Sequence, residues 1–226
     1  MGLFMRHAVV ANVDDMGGGF RLITLEGPAL RNAAWTPGHK IQIAMGSTFA
    51  TRTYTPLEWD AAAGRTRILG YAHGAGPGSE WLVKLTAGAE CDIFGPRRSL
   101  AVEGTSGPLV LFGDETSMGL AHALRRQARE RSVLCQFEVS DVATAESALA
   151  KLDVGDATLV RRERDGQHLY RLVEPLSALA AAGATFVLTG HASSIQQVRQ
   201  QLRRWGVPAA RMVTKAYWAT GKAGLD

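Results

Sequence analysis

The sequence predicts a two-domain fold, an antiparallel β-barrel followed by a doubly wound α/β domain with a mostly parallel sheet. Three observations predict it. Up to about Leu100 the chain reads as short β-forming runs cut by Gly and Pro turns. Beyond Pro108, strand patterns alternate with helix patterns. Between the two lies the small, polar stretch Gly104-Thr105-Ser106-Gly107-Pro108, which places the domains at 1–104 and 105–226. A chain of 226 residues holds enough apolar surface for two cores.

Ala8–Val13 and Phe20–Glu26 flank Gly17-Gly18-Gly19 and read as a hairpin. Trp35-Thr36-Pro37-Gly38 turns the chain into a third strand, Lys40–Ala44, followed by Thr51–Thr55, Thr66–Tyr71 and Glu90–Phe94. Six strands at this spacing suit a small barrel. Gly95-Pro96-Arg97-Arg98-Ser99 closes it with two cations beside a turn. In the second domain the expected strands are Leu109–Phe112, Val133–Val139, Thr158–Val160, Thr185–Thr189 and Arg211–Ala216. Helices are expected over Ser117–Arg131, Ala143–Leu152, Leu172–Ala182 and Ser193–Trp205.

Composition excludes several classes. The net charge of +4 is mild and its cations are dispersed, which argues against nucleic acid. Cys91 and Cys135 stand far apart with no C-x-x-C, so neither a zinc site nor a disulfide framework is indicated, and no metal ligand set is expected. No apolar run approaches a membrane span, and Met1–His7 lacks a signal peptide's apolar core. A cytoplasmic monomer that touches no membrane is the expectation.

Two stretches carry chemistry in the barrel. In Arg52-x-Tyr54-Thr55, strand alternation puts Arg52 and Tyr54 on one face and Thr55 on the other. A guanidinium to clamp phosphate, a ring to stack and a hydroxyl for a heterocycle edge suit a flavin. The second stretch is His73-Gly74-Ala75-Gly76-Pro77-Gly78-Ser79-Glu80-Trp81. Its glycines allow close backbone approach, and Ser79 is expected to cap a short helix over Glu80–Leu85 whose amides suit a pyrophosphate. In the α/β domain, ligands bind at the carboxyl ends of strands, which points to Gly113-Asp114-Glu115-Thr116 and Gly190-His191-Ala192. Neither is a G-x-G-x-x-G fingerprint.

Taken in order, Arg52-x-Tyr54-Thr55-Pro56, His73-x-x-Gly76-x-x-Ser79-x-Trp81, Gly95-Pro96-Arg97, Gly113-Asp114-Glu115-Thr116 and Tyr217-Trp218 resemble the siderophore-interacting protein family, FAD-containing ferric-siderophore reductases of the ferredoxin-reductase superfamily. The resemblance runs over nearly the whole chain. It implies an FAD-binding barrel and an NAD(P)H-binding-like α/β domain. Arg52 would then hold a flavin phosphate, Tyr54 would lie on the isoalloxazine, and Thr55 would approach its reactive edge. His73, Gly74, Gly76, Gly78 and Ser79 would hold the pyrophosphate, with Trp81 behind them. Gly113, Asp114, Glu115, Thr116, Glu138 and Gly190 would serve NADH or NADPH.

Of the family's basic positions around an anionic ferric siderophore, one falls on Lys40; the neighbourhoods of the others offer Arg125 or Arg126, and Lys215, two residues from where relatives carry the charge, with Lys222 a further candidate. His191 stands where relatives commonly carry glutamate, and Ser140 where some carry arginine. Glu138 suits a free ribose 2′-hydroxyl and tilts the reading towards NADH, whereas Arg161, Arg162 and Arg164 lean the other way. The implied reaction passes hydride to the flavin and single electrons to Fe(III), releasing Fe(II), and it requires no side chain as nucleophile or metal ligand. Two alternatives stay open: a flavin reductase serving a ferredoxin- or flavodoxin-like protein, and a non-catalytic flavin or siderophore binder.

Overall fold

The computed structural model describes residues 5–45, 51–74, 76–127 and 131–222. The chain divides into two compact units between Ser99 and Leu100.

The first unit is one antiparallel sheet of seven strands: β1 (Met5–Gly17), β2 (Phe20–Glu26), β3 (His39–Ala44), β4 (Thr51–Tyr54), β5 (Pro56–Asp60), β6 (Arg65–Tyr71) and β7 (Glu90–Arg98). Their spatial order is β4-β3-β7-β1-β2-β6-β5. Only Thr55 separates β4 from β5, so the two ends of the sheet come together. Alternating apolar residues build the core, with Ala8 and Val10, Ile23 and Leu25, Ile41 and Ile43, and Ile68 and Ile93 all fully buried. A helix, α1 (Pro77–Lys84), packs Leu82 onto the same cluster.

Two strands depart from expectation. β5 begins on a proline, a residue tolerated as the first of a strand at a sheet's end because no ladder N–H is needed there. β7 runs on to Arg98 through Gly95 and Pro96, where a turn is expected. A bulge makes this possible, since Lys40 pairs with Arg97 while Gln42 pairs with Phe94.

The second unit holds five parallel strands in the order β10-β9-β8-β11-β12. These are β8 (Leu109–Gly113), β9 (Val133–Val139), β10 (Thr158–Arg161), β11 (Thr185–His191) and β12 (Met212–Trp218). The helices between them are α2 (Met118–Gln127), α3 (Val142–Ala150), α4 (His168–Val173), α5 (Ser177–Ala181) and α6 (Ala192–Arg204). β8 is buried throughout, as a central parallel strand covered on both faces must be. The single helix expected over Leu172–Ala182 is instead α4, a 3-10 turn holding Pro175, and α5, because a proline has no N–H for the helical ladder. α2 is preceded by a 3-10 turn over Glu115–Ser117 and is described to Gln127, with 128–130 outside the described residues. The strand order reverses direction at β8 and β11, which puts the topological switch point between Gly113 and Gly190.

Candidate functional site

In the first unit, Arg52 and Tyr54 lie opposite Ile43 and Ile41 of β3 and so share the core-side face of the sheet. The Arg52 side chain lies across Gly78 in the first turn of α1. A Cβ added at Gly78 would stand 3.2 Å from Arg52 Cγ and 3.3 Å from Nε, which explains the small residue there. The N-cap of α1 is Gly76 and no side chain caps it, so the helix presents its first amides beside a guanidinium. Tyr54 packs against Trp81 of α1 with ring centroids 6.1 Å apart. Burial drives the Tyr54 phenol well above its ordinary value and the Arg52 cation pulls it only part of the way back, so it stays a hydroxyl donor.

The loop into α1 is anchored from both ends. His73 stacks on Tyr71 at 5.5 Å, and Tyr71 stacks on buried Phe20 at 4.5 Å. Ser79 does not cap the helix, because it lies inside it; its hydroxyl donates to the carbonyl of His73 at 3.0 Å and ties the loop shut. Gly74 adopts φ +67, the left-handed region that glycine enters without steric cost. A Cβ at Gly74 or Gly76 would meet nothing within 4 Å, so there is room above this backbone. Ala50 and Ala75 lie outside the described residues. A cation, an uncapped helix start and a tyrosine ring brought together from β4 and α1 fit a phosphate joined to a flat heterocycle.

In the second unit, the carboxyl edge of the sheet is filled from within. Asp114, 0 % exposed, accepts from the Thr116 N–H at 2.9 Å and from the indole Nε1–H of Trp218 at 2.7 Å. Burial pushes its carboxyl up, against the hydrogen bonds from Thr116 and Trp218. Gly190 sits at φ +97 directly against it, and a Cβ there would fall 2.5 Å from Asp114 Oδ2. Glu115 accepts from the Ser140 N–H at 2.6 Å and from Arg162 at 2.8 Å. Burial alone would raise the Glu115 carboxyl, but Arg162 and Ser140 outweigh it and hold it below the usual carboxylate range.

Arg162 also donates to Ser140 Oγ at 3.1 Å and lies over the Trp218 ring at 5.9 Å. His191, on the other strand end, packs on Trp218 at 4.3 Å and takes Ser193 and Thr220 as hydrogen-bond partners.

Two expectations need correction. Glu138 is 1 % exposed, and its Oε2 accepts from His168 Nε2 at 2.7 Å and faces Arg162 at 3.7 Å, so a ribose hydroxyl cannot reach it. His168 Nδ1 accepts the Glu163 N–H, which puts the ring proton on Nε2. Arg125 and Arg126 lie at the far end of α2, which runs back along the sheet. Arg125 donates to the carbonyl of Val133, the first residue of β9, and to Asp156. That is the amino edge of the sheet, a strand length from Lys215, which pairs with Thr189 near the carboxyl edge. Lys222 is exposed in the turn after β12.

Sequence reading missed His168 and the Asp114–Trp218 bond. Partners 30 and 104 positions apart leave no local signal. Among the described residues no group of His, Cys, Asp and Glu is arranged to hold a metal, no helix is long and apolar enough to cross a membrane, and Cys91 and Cys135 are buried thiols.

An antiparallel sheet followed by a doubly wound parallel sheet, with these strand orders, defines a ferredoxin-reductase-like two-unit architecture. Solved structures carry the same fold. A siderophore utilization protein from T. fusca superposes with TM-score 0.77 at 22% identity, covering 98% of this chain and 95% of that one. The siderophore-interacting protein SipS from Aeromonas hydrophila gives 0.76 at 21%, covering 97% and 93%. The ferredoxin reductase in carbazole 1,9a-dioxygenase gives 0.79 at 17%, covering 95% and 69%. No curated protein sequence matches. The family described as Siderophore-interacting protein matches residues 108–221, half of the chain and all of it in the second unit. This chain belongs to the siderophore-interacting protein family.

Proposed function

We propose that this protein is an FAD-dependent reductase that takes electrons from NADH or NADPH and reduces the iron of anionic ferric siderophores. The observation that carries the reading is Arg52 lying over Gly78 at the uncapped start of α1, beside Tyr54. There Arg52 and the first amides of α1 hold the phosphates, and His73, Gly74, Gly76 and Ser79 shape the loop around them. Tyr54 and Trp81 support the ring, and Thr55, which alternation turns away from Tyr54, meets its edge.

The flavin supplies the chemistry when bound, taking hydride and giving single electrons. One NAD(P)H therefore reduces two Fe(III) to two Fe(II), with release of a proton. The lower charge on Fe(II) loosens its hold on oxygen ligands. Gly113, Thr116 and Gly190 shape the carboxyl edge where the nicotinamide nucleotide enters, and Lys40 of the first unit is the cation kept for the chelate. No membrane and no nucleic acid enters the scheme, and the setting is cytoplasmic.

One observation favours a second reading. Asp114 and Glu115 already occupy the Thr116 and Ser140 amides at the switch point, so a dinucleotide's pyrophosphate finds those donors taken. A reduced ferredoxin-like protein would then be the electron source. Stopped-flow bleaching of the flavin by NADH and by NADPH, followed by reoxidation with ferric chelates, decides. Fast bleaching by either nucleotide and reoxidation by a chelate support the first reading. Bleaching by reduced ferredoxin alone supports the second.

A further inference from the structure

We propose that Asp114 is the acceptor for the carboxamide of a nicotinamide nucleotide, and that Trp218 holds that place until the nucleotide displaces it. The choice of nucleotide rests on the reductase reading above; the geometry stands by itself, and every residue in it belongs to the second unit. β11 lies between β8 and β12. Asp114 follows β8 and Trp218 ends β12, so the 2.7 Å bond from the indole Nε1–H to Asp114 Oδ2 spans the carboxyl end of β11. It bridges the switch point, the place where an open α/β sheet receives its ligand.

The two oxygens of Asp114 are served differently. Oδ1 is taken by its own turn, from the Thr116 N–H at 2.9 Å and from the Thr116 hydroxyl. Oδ2 receives its donor from a residue 104 positions away. An N-cap carboxylate needs only the first of these to close its turn. Gly190 makes room for the second, because at φ +97 a Cβ there would fall 2.5 Å from Oδ2. The indole that reaches Oδ2 is a flat ring with one N–H at its edge. His191 packs on it at 4.3 Å, and the Arg162 guanidinium stands over it at 5.9 Å.

A nicotinamide has the same attributes, a flat ring with an amide N–H at its edge. Exchanging one for the other leaves Oδ2 with a donor, whereas a ligand lacking that donor would strand an oxygen of a carboxylate that is 0 % exposed. The same edge rejects anions. Glu115 stands next to Asp114, and Arg162 is already engaged with Glu115 and Glu138. A turn closed to a phosphate is therefore open to an amide, and a carboxylate in place of the carboxamide is repelled. Because the indole competes for Oδ2, the nucleotide binds more weakly than the subsite alone would hold it.

The oxidised dinucleotide NAD+ and its nicotinic acid analogue, which carries a carboxylate in place of the carboxamide, test this without redox chemistry. Calorimetric titration into the intact chain measures both. Trp218→Ala should bind NAD+ about tenfold or more tightly than the parent does, because the competing indole is gone. Trp218→Phe, which keeps a ring and loses the N–H, should fall between them. In Trp218→Ala, NAD+ should be preferred over the acid analogue by about tenfold or more. Adding Asp114→Asn, whose amide can accept from one ligand and donate to the other, should reduce that preference to less than about threefold. At equal concentration NAD+ should raise the Tm of Trp218→Ala more than that of the parent.

Unchanged or weaker NAD+ binding in Trp218→Ala, no preference for the carboxamide there, or a preference that survives Asp114→Asn would each overturn the proposal. A purely structural Trp218 gives the first of these, with stability lowered and affinity not raised. Should the double variant fail to fold, the two affinities of Trp218→Ala decide alone. Flavin content and bleaching by NADH in the same preparations report separately on the reductase reading. Carboxamide-selective binding without bleaching keeps the subsite and removes the reductase, and bleaching without selectivity does the reverse.

Discussion

Two helices in this protein begin beside glycine turns, and they treat an incoming anion in opposite ways. α1 starts at Gly76 with no side-chain cap and with Arg52 across its first turn. The helical segment leading into α2 starts at Asp114, whose carboxylate takes the Thr116 amide and the Trp218 indole, while neighbouring Glu115 takes the Ser140 amide and Arg162. The first helix offers positive potential to a ligand. The second has spent it on its own carboxylates. A glycine turn before a helix therefore marks a possible phosphate site, and the charge of the residues folded over it decides whether the site is open.

The largest test of this contrast is Arg162→Ala, which leaves Glu115 and Glu138 buried without their guanidinium. A loss of about 3–5 kcal/mol in urea unfolding is expected, the usual cost of stripping one partner from a buried charge cluster. A loss below about 1 kcal/mol would mean the cluster is loosely held and the second turn is not closed. Next comes Arg52→Ala, expected to lower FAD affinity by roughly ten- to a hundredfold, about 1.5–3 kcal/mol, with little change in unfolding. Titration of apoprotein measures it, and an unchanged affinity would put the anion site elsewhere.

Trp218→Phe keeps the ring but removes the donor to buried Asp114. The expected cost is about 1–2 kcal/mol in unfolding, read against a parent whose Trp218 contributes to the emission spectrum. The smallest effect is one of pH. Arg162 and Ser140 depress the Glu115 carboxyl, so its stabilising contribution is present above the unfolded value of about 4.3 and is lost as pH falls through the lower folded value. The stability gap between the parent and Glu115→Gln should therefore narrow between about pH 5 and pH 3. A gap that widened on acidification would reverse the assignment.

Fold class and the alternation of strands and helices along the chain follow from local signals, whereas β5 and the order of strands within each sheet do not. Alternation fixes which residues of β3 and β4 share a face, whereas β5 and β6 separate Arg52 and Tyr54 from the His73–Ser79 loop along the chain. Strand-helix alternation after Pro108 fixes a parallel sheet, because parallel strands need crossovers. Ser79 shows the limit. Its type fits a helix cap, but Pro77 starts the helix earlier, and the hydroxyl is left to close the loop on His73.

The period of each segment and the chemistry of each side chain are read within a few residues, so the chain alone carries them. Partnership between distant residues comes from packing. Glu138 became inaccessible because His168, 30 residues on, packs against it, and Asp114 closed its own turn because Trp218 reaches it from 104 residues away. Arg125 lies at the amino edge because α2 runs back along the sheet, and Arg97 pairs with Lys40 because a bulge at Gly95 shifts the register by one residue. Register, helix direction and burial are set by packing the whole sheet, and a one-residue shift changes which charges face each other.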